Sequence, residues 1–160
     1  MASEIGVQTI QHTNGTDAMT IDSSGRVLTP ERPAFHASTN GAGSASYFTP
    51  GVVIFPHADV NVGNCYSTST GKFTAPIAGT YYFSGMMLSN VNTRLFFRLH
   101  KNGSVINGTQ IETLSNTSEY QTASTDCVVT LAVNDLVHLH LTNNDAYGSQ
   151  YCNFKGFLLG

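Results

Sequence analysis

The chain has 160 residues, of which 41% are hydrophobic and 10% aromatic, enough for one domain with a core and too many for a disordered chain. Charged residues make up only 11%, the formal net charge is −3, and the seven basic residues are scattered, which argues against binding nucleic acid through phosphate contacts. Apolar runs such as residues 52–55 fall far short of the roughly 20 residues that cross a bilayer. No secretory signal is predicted, because the amino terminus has no basic region followed by an apolar stretch.

The first 32 residues differ in character from the rest. They are polar, and their short β-type runs are interrupted by Asn-Gly at 14–15 and Ser-Gly at 24–25. Such a segment cannot bury much apolar surface by itself. We predict an extended arm over residues 1–32, ordered only against sister chains or a partner, followed by one domain over residues 33–160.

From residue 51 onward, short runs rich in Val, Ile, Thr, Tyr and Phe recur between Gly, Asn, Asp and Pro, and no long stretch has apolar residues at helical spacing. Asn102-Gly103 is typical of a two-residue hairpin turn. Many short strands about ten residues apart predict an all-β sandwich or jelly roll. The clearest predicted strands are 51–55, 80–84, 94–99, 127–131, 136–141 and 153–159.

The strand at 136–141 alternates between two faces. Val137, Leu139 and Leu141 are predicted to face the core, which leaves His138 and His140 together on the opposite face. If that face lined a threefold axis, three copies would form a histidine ring able to bind metal or sense pH. The simpler alternative, polar groups on a wet or half-buried face, is favoured. No ligand spacing is seen for the other histidines: His12, His36, His57 and His100.

A spaced pattern of seven positions runs through the middle of the chain: Phe55, Asn61, Tyr66, Phe73, Gly79, Tyr81 and Phe83. This pattern resembles the signature of the globular head of complement component one, subcomponent q, in the complement and tumour-necrosis-factor superfamily. The carboxyl-terminal Phe154, Gly156 and Phe157 resemble the same family's last strands. There are two departures: Gly85 stands where the family usually has an aromatic residue, and no Gly-X-Y collagen repeat precedes the domain.

The resemblance implies a ten-stranded jelly roll that assembles as a homotrimer. Phe55, Phe73, Tyr81, Phe83, Phe154, Phe157 and Leu158 are the candidates for its core. Strand alternation places a second set off that core, namely Tyr66, Tyr82, Met86, Phe96 and His138. Large aromatic residues on a chain with few charges fit a subunit interface, for which the candidates are Tyr82, Phe96, His138 and His140. A monomer with scattered exposed aromatic residues is the alternative.

Residues 15–27 resemble short leaders of structural proteins of tailed bacteriophages. The leading hypothesis is therefore a phage virion structural protein, made in the host cytoplasm, whose trimeric knob is attached through the arm. Capsid decoration or head fibre and tail-fibre tip both fit. The alternative is a secreted or cell-surface recognition module, lectin-like or complement-like. Polar loop residues are the candidates for contact with a host receptor or glycan: Asn90, Asn92, Asn143, Asn144 and Asp145.

No motif for a nucleophile, a phosphate loop or a zinc protease is present, and we predict no enzymatic activity. The three cysteines, at 65, 127 and 152, are widely spaced and read as free thiols, although one bridge with one thiol left over stays open. Several family relatives use calcium. In this sequence the acidic residues near turns are isolated and form no loop of alternating carboxylates, so we predict no cofactor site. Those acids are Asp59, Asp126, Asp135 and Asp145.

Overall fold

The computed structural model describes residues 6–39, 46–114, 118–143, 146–148 and 150–160. The chain divides into two compact units, Met1–Arg32 and Pro33–Gly160. All regular elements in the described ranges are β-strands, and none of these residues forms a helix of membrane-spanning length and hydropathy.

The first unit is a small antiparallel sheet in the order β1-β2-β3, with strands β1 Thr9–Gln11, β2 Asp17–Ile21 and β3 Val27–Leu28. The extended arm predicted from the sequence is therefore folded back on itself twice. Both Asn-Gly and Ser-Gly signals become turns, because Gly15 and Gly25 adopt φ of 87° and 77°, which glycine tolerates without strain. Several apolar side chains of this unit stay exposed, Val27 and Leu28 among them, whereas Met19 and Ile21 are half-buried.

The second unit contains fourteen strands among its described residues, five of them two residues long, and the count of ten implied by the resemblance stays a prediction. The strands are β4 Ala34–Ser38, β5 Ser46–Tyr47, β6 Gly51–Val52, β7 His57–Val62, β8 Tyr66–Ser67, β9 Lys72–Thr74, β10 Gly79–Leu88, β11 Arg94–Lys101, β12 Ser104–Val105, β13 Ile111–Leu114, β14 Thr122–Leu131, β15 Leu136–Leu141, β16 Tyr147–Gly148 and β17 Asn153–Leu158.

Two antiparallel sheets form the body of this unit. The five-stranded sheet has the order β14-β10-β17-β4-β7. The seven-stranded sheet has the order β12-β11-β15-β9-β8, with β13 paired to β11 and β6 paired to β15. A two-stranded pair, β16 and β5, lies apart from them. The hairpin at Asn102-Gly103 forms as predicted, with Asn102 at φ 51°.

The core lies between the two sheets and is dominated by aromatic rings. Phe73 of the seven-stranded sheet packs against Tyr81 and Phe83 of the five-stranded sheet, with ring centroids 5.3 and 5.0 Å apart. Burial of each such side chain stabilises the fold by roughly 1.5–3 kcal/mol. The fully buried aromatic residues are Phe55, Phe73, Tyr81, Phe83, Phe97 and Phe154.

Two aromatic residues lie where the sequence analysis did not expect them. Tyr66, expected off the core, is only 3% exposed, and its ring stacks on Phe35 at 4.9 Å. Phe157, expected in the core, is 44% exposed, because Phe154 and Gly156 hold the inward positions of β17 and the pleat turns Phe157 outward. Leu158 is half-buried against the edge of the core.

Glycines make room for large side chains in the core. A Cβ atom on Gly156 would lie 2.4 Å from Cδ1 of Phe83, which faces it across the β10–β17 pair. Gly85, the departure from the family pattern, is covered by Leu139 of the opposite sheet, whose Cδ1 lies 2.6 Å from where a Cβ would be. The missing aromatic ring is thus replaced by an aliphatic side chain from across the sandwich.

The Asn61–Tyr66 pair of the signature closes the turn between β7 and β8. The Asn61 amide donates to the Tyr66 carbonyl at 2.9 Å and accepts from the Tyr66 N–H at 3.0 Å. The Tyr66 hydroxyl in turn accepts from the Phe55 N–H at 3.2 Å. These residues therefore hold together an exposed turn, at Gly63 and Asn64, whose far end is anchored by the buried Tyr66.

Candidate functional site

The outer face of the five-stranded sheet carries one continuous apolar row. Cross-strand pairing joins one residue from each strand at the same level, and we call these five residues the apolar row: Val128, Tyr82, Phe157, Ala34 and Val62. None is buried, Val128 is 62% exposed, and the rings of Tyr82 and Phe157 are 5.4 Å apart. The neighbouring row, from Asp126 through Ser84 and Lys155 to His36, is polar on four strands and ends on the fifth at the exposed Val60.

The four residues predicted for a subunit interface do not form one patch. Tyr82 belongs to the apolar row, whereas Phe96, His138 and His140 lie on the outer face of the other sheet. Phe96 is half-buried beneath the Arg98 guanidinium, which lies 5.5 Å from its ring centroid.

The structure brings the polar loops after β10 and β15 together at one end of the sandwich. A backbone bridge pairs Ser89 with Ala146, and the Asn143 side chain accepts from the Phe96 N–H at 3.0 Å and donates to the Arg94 carbonyl. The predicted ligand residue Asn143 is therefore engaged in holding its own loop.

The other loop candidates differ in availability. The side-chain oxygen of Asn90 accepts a hydrogen bond from the Val91 N–H. Asn92 is exposed, and its backbone adopts a φ of 54°. Asn144 and Asp145 lie outside the described residues.

A depression of about 320 Å³ lies near this end of the sandwich and was not predicted from the sequence. It is lined by Leu88, Tyr120, Thr122 and Tyr151.

Three histidines meet on the outer face of the seven-stranded sheet; we call His100, His138 and His140 the histidine cluster. Leu99 and Leu139 point into the core, so the residues flanking them point outward. His100 pairs directly with His138 across the β11–β15 register. The His100 ring stacks on that of His140 at 4.3 Å and lies 5.1 Å from that of His138.

Two of the three histidines, His100 and His138, are buried although they lie on an outer face, and His140 is half-buried. His138 is 5% exposed, and burial, with the nearby His100, His140 and Lys72, lowers its pKa from 6.5 to about 4. Burial, followed by His140 and Arg98, also lowers the pKa of His100, and burial and Arg98 lower that of His140. All three rings are therefore neutral at neutral pH.

The histidine ring considered in the sequence analysis required three chains, whereas this cluster is complete within one. His100 shows no ligand spacing in the sequence, because it stands 38 positions before His138. Only the pairing of β11 with β15 brings the two together. Spacing along one strand can reveal His138 and His140 and nothing beyond them.

The predicted acids near turns are engaged elsewhere or exposed. Asp135 accepts hydrogen bonds from Asn102, Lys101 and the Ala132 N–H, which hold the pKa of its carboxyl at about 2. Asp59 lies 3.4 Å from the His36 ring nitrogen and 2.9 Å from that of His57. The three cysteines are free thiols, and burial raises the pKa values of Cys65 and Cys127 to about 11.

The two packed antiparallel sheets, with their aromatic core and exposed apolar outer row, define a jelly roll of the tumour-necrosis-factor-like class. A family model described as the C1q domain matches residues 34–159. The chain therefore belongs to the C1q domain family, whose members are non-enzymatic recognition and structural modules. The family resemblance and the all-β fold expected from the sequence are confirmed.

Curated relatives share the domain over part of their length. Complement C1q tumor necrosis factor-related protein 3 of Mus musculus is 31% identical over 111 residues, which are 67% of this chain and 44% of that protein. The Homo sapiens protein of the same name is 30% identical over 110 residues, with the same shares. Caprin-2 of Danio rerio is 32% identical over 141 residues, 82% of this chain and 14% of that protein. The match thus spans less than half of each relative.

Solved structures show the same fold. The globular domain of zebrafish complement 1qA protein superposes with a TM-score of 0.65 at 26% identity, covering 81% of this chain and 98% of that chain. Eiger TNF from S. frugiperda superposes with a TM-score of 0.60 at 13% identity, covering 81% and 94%, which shows the shared fold alone.

Proposed function

We propose that this chain is a non-enzymatic homotrimeric recognition module of the C1q type. The apolar row carries the proposal. A contiguous apolar strip across all five strands of a sheet, with a polar row beside it, is what a protein–protein interface presents. With only 11% charged residues, the chain has few charges to repel a second copy.

A threefold assembly needs two different patches on each chain, because its contacts are heterologous. The apolar row supplies one patch, and the half-buried Phe96 with its neighbours on the opposite sheet is a candidate for the other. In this arrangement each chain contacts one neighbour through the face that carries Tyr82 and the other neighbour through the face that carries Phe96. The predicted interface residues therefore lie on two faces.

Recognition of a ligand is assigned to the loop end near residues 89–93, 142–143 and 146–147. Loops on a rigid β scaffold commonly carry binding contacts. Exposed Asn92 offers an amide group, and the depression lined by Tyr120 and Tyr151 offers aromatic groups. Such groups suit a receptor surface or a glycan, since one set hydrogen-bonds and the other packs on apolar faces.

The resemblance of residues 15–27 to phage leaders led us to expect a place in a virion. The family model and the curated relatives give this placement no support and favour the alternative of a recognition module. The first unit then serves as a connector whose exposed apolar residues contact a partner. Detection of the chain in purified phage particles by mass spectrometry would favour the virion placement instead.

The oligomeric state tests the proposal. Sedimentation of the wild-type chain is expected to give three times the monomer mass of 17.1 kDa. Val128→Glu, which puts a charge into the apolar row, is expected to give monomers. Val133→Glu is the matched control, because Val133 is 52% exposed in a turn away from the row. A monomeric wild type, or a Val128→Glu variant that remains trimeric, would contradict the proposed interface.

A further inference from the structure

We propose that His100, His138 and His140 form a three-histidine site for a divalent transition-metal cation, best represented by Zn²⁺. The cluster offers one nitrogen from each ring, and these three nitrogens lie within 4.8 Å of one another. Imidazole nitrogen is a preferred ligand of Zn²⁺, and three histidines with one open position form a known kind of zinc coordination. Among the described residues, these three form the group of histidine, cysteine or acidic ligands with that proximity.

Each of the three rings has one nitrogen without a partner. His100 Nε2, His138 Nδ1 and His140 Nδ1 are buried and accept or donate no hydrogen bond. A buried polar atom without a partner is costly, and most native structures avoid it. Three such atoms within one cluster point to a group that binds all of them at once.

A backbone contact orients one of the ligands. His100 Nδ1 lies 3.1 Å from the Gly103 carbonyl oxygen, which can only accept, so Nδ1 carries the proton and Nε2 carries the lone pair. Metal-binding histidines typically donate their other N–H to a carbonyl in this way. The lowered pKa values support the same reading, because rings that are neutral at neutral pH need not lose a proton to bind a cation.

The site needs a modest contraction to hold the ion. Zn–N bonds of about 2.0–2.1 Å in tetrahedral geometry place ligand nitrogens about 3.3 Å apart. The nitrogens now lie within 4.8 Å of one another, so the proposed site requires the rings to rotate toward a common centre.

Positive neighbours determine what completes the coordination. Lys72 is paired with His138 from β9, and Arg98 is paired with His140 from β11. The residues paired with the cluster from β6 and β12, Val52 and Val105, carry no charge. These two cations repel a dication, and an anionic fourth ligand, such as hydroxide or a carboxylate, offsets that repulsion where water or a neutral group does not.

The experiment uses the full chain in its native oligomer, freed of metal by a chelator and titrated with Zn²⁺ alone by calorimetry. We expect one ion per chain. Loss of even an outer-shell partner weakens metal binding by about 10–100-fold, so His140→Gln is expected to weaken it by at least about 100-fold. His140 is the half-buried member of the cluster, which makes it the variant that best tolerates substitution.

His57→Gln is the matched control, because His57 is a histidine outside the cluster whose ring nitrogen lies beside Asp59. It should leave the affinity unchanged. Co²⁺ in place of Zn²⁺ should give the intense visible absorption of a tetrahedral site without a thiolate charge-transfer band, which excludes the cysteines as ligands. Wild-type binding no tighter than that of His140→Gln, loss of binding in His57→Gln, or a thiolate band would overturn the site.

Discussion

Acidification should destabilise the fold through the histidine cluster well before it affects the carboxylates. His138 is the main group, because it is 5% exposed and its pKa falls from 6.5 to about 4 in the folded chain. Between these values the unfolded chain binds a proton that the folded chain does not, so stability decreases as the pH falls and the loss is complete below about 4. Above 6.5 the ring is neutral in both states and the effect vanishes.

The size of the loss follows from the same two values. Each pH unit of difference corresponds to about 1.36 kcal/mol, so His138 alone accounts for at most about 3 kcal/mol. His100 and His140 act in the same direction. Lys72 opposes protonation of His138, and Arg98 opposes protonation of His100 and His140. A domain with a free energy of unfolding of about 5–15 kcal/mol would lose a substantial part of it.

Urea unfolding at a series of pH values, with chelator present and protein concentration held fixed, measures this loss. The wild-type midpoint should fall steadily from about pH 6.5 to about 4, and His138→Gln should show a shallower dependence over that interval. Asp135, whose pKa is lowered to about 2, loses its contribution only below 3.8 and does not interfere. Parallel pH dependences for the two proteins would refute the assignment of the loss to His138.

Two substitutions in the family signature test the packing and the turn. Gly156→Ala should destabilise the domain by about 1–3 kcal/mol, because the new methyl group overlaps the Phe83 ring, whereas Gly160→Ala, which meets nothing within 4 Å, should not. Equal urea midpoints for the two variants would contradict that reading. Asn61→Ala should cost about 1–3 kcal/mol, since it leaves the N–H and carbonyl of Tyr66 without their partners. A thermal unfolding midpoint equal to that of the wild type would show that water replaces the amide.

Local patterns in the sequence determined the fold class and much of the core. Alternation along 136–141 places Val137, Leu139 and Leu141 inside, and all three are fully buried. The Asn102-Gly103 turn forms where it was predicted, because its requirement for positive φ is a property of two adjacent residues. Such features depend on neighbours along the chain, which the sequence displays directly.

Contacts across strands were decided only by the tertiary structure. Register joins His100 to His138, lines up Val128 with Tyr82 and Phe157, and sets Leu139 over Gly85. Pairing partners far apart in sequence are chosen by the packing of the whole sandwich, and shifting one strand by a single residue would reverse every face. The histidine cluster and the apolar row are therefore properties of the assembled sheets, whereas the tendency to form sheets is already present in the order of the residues.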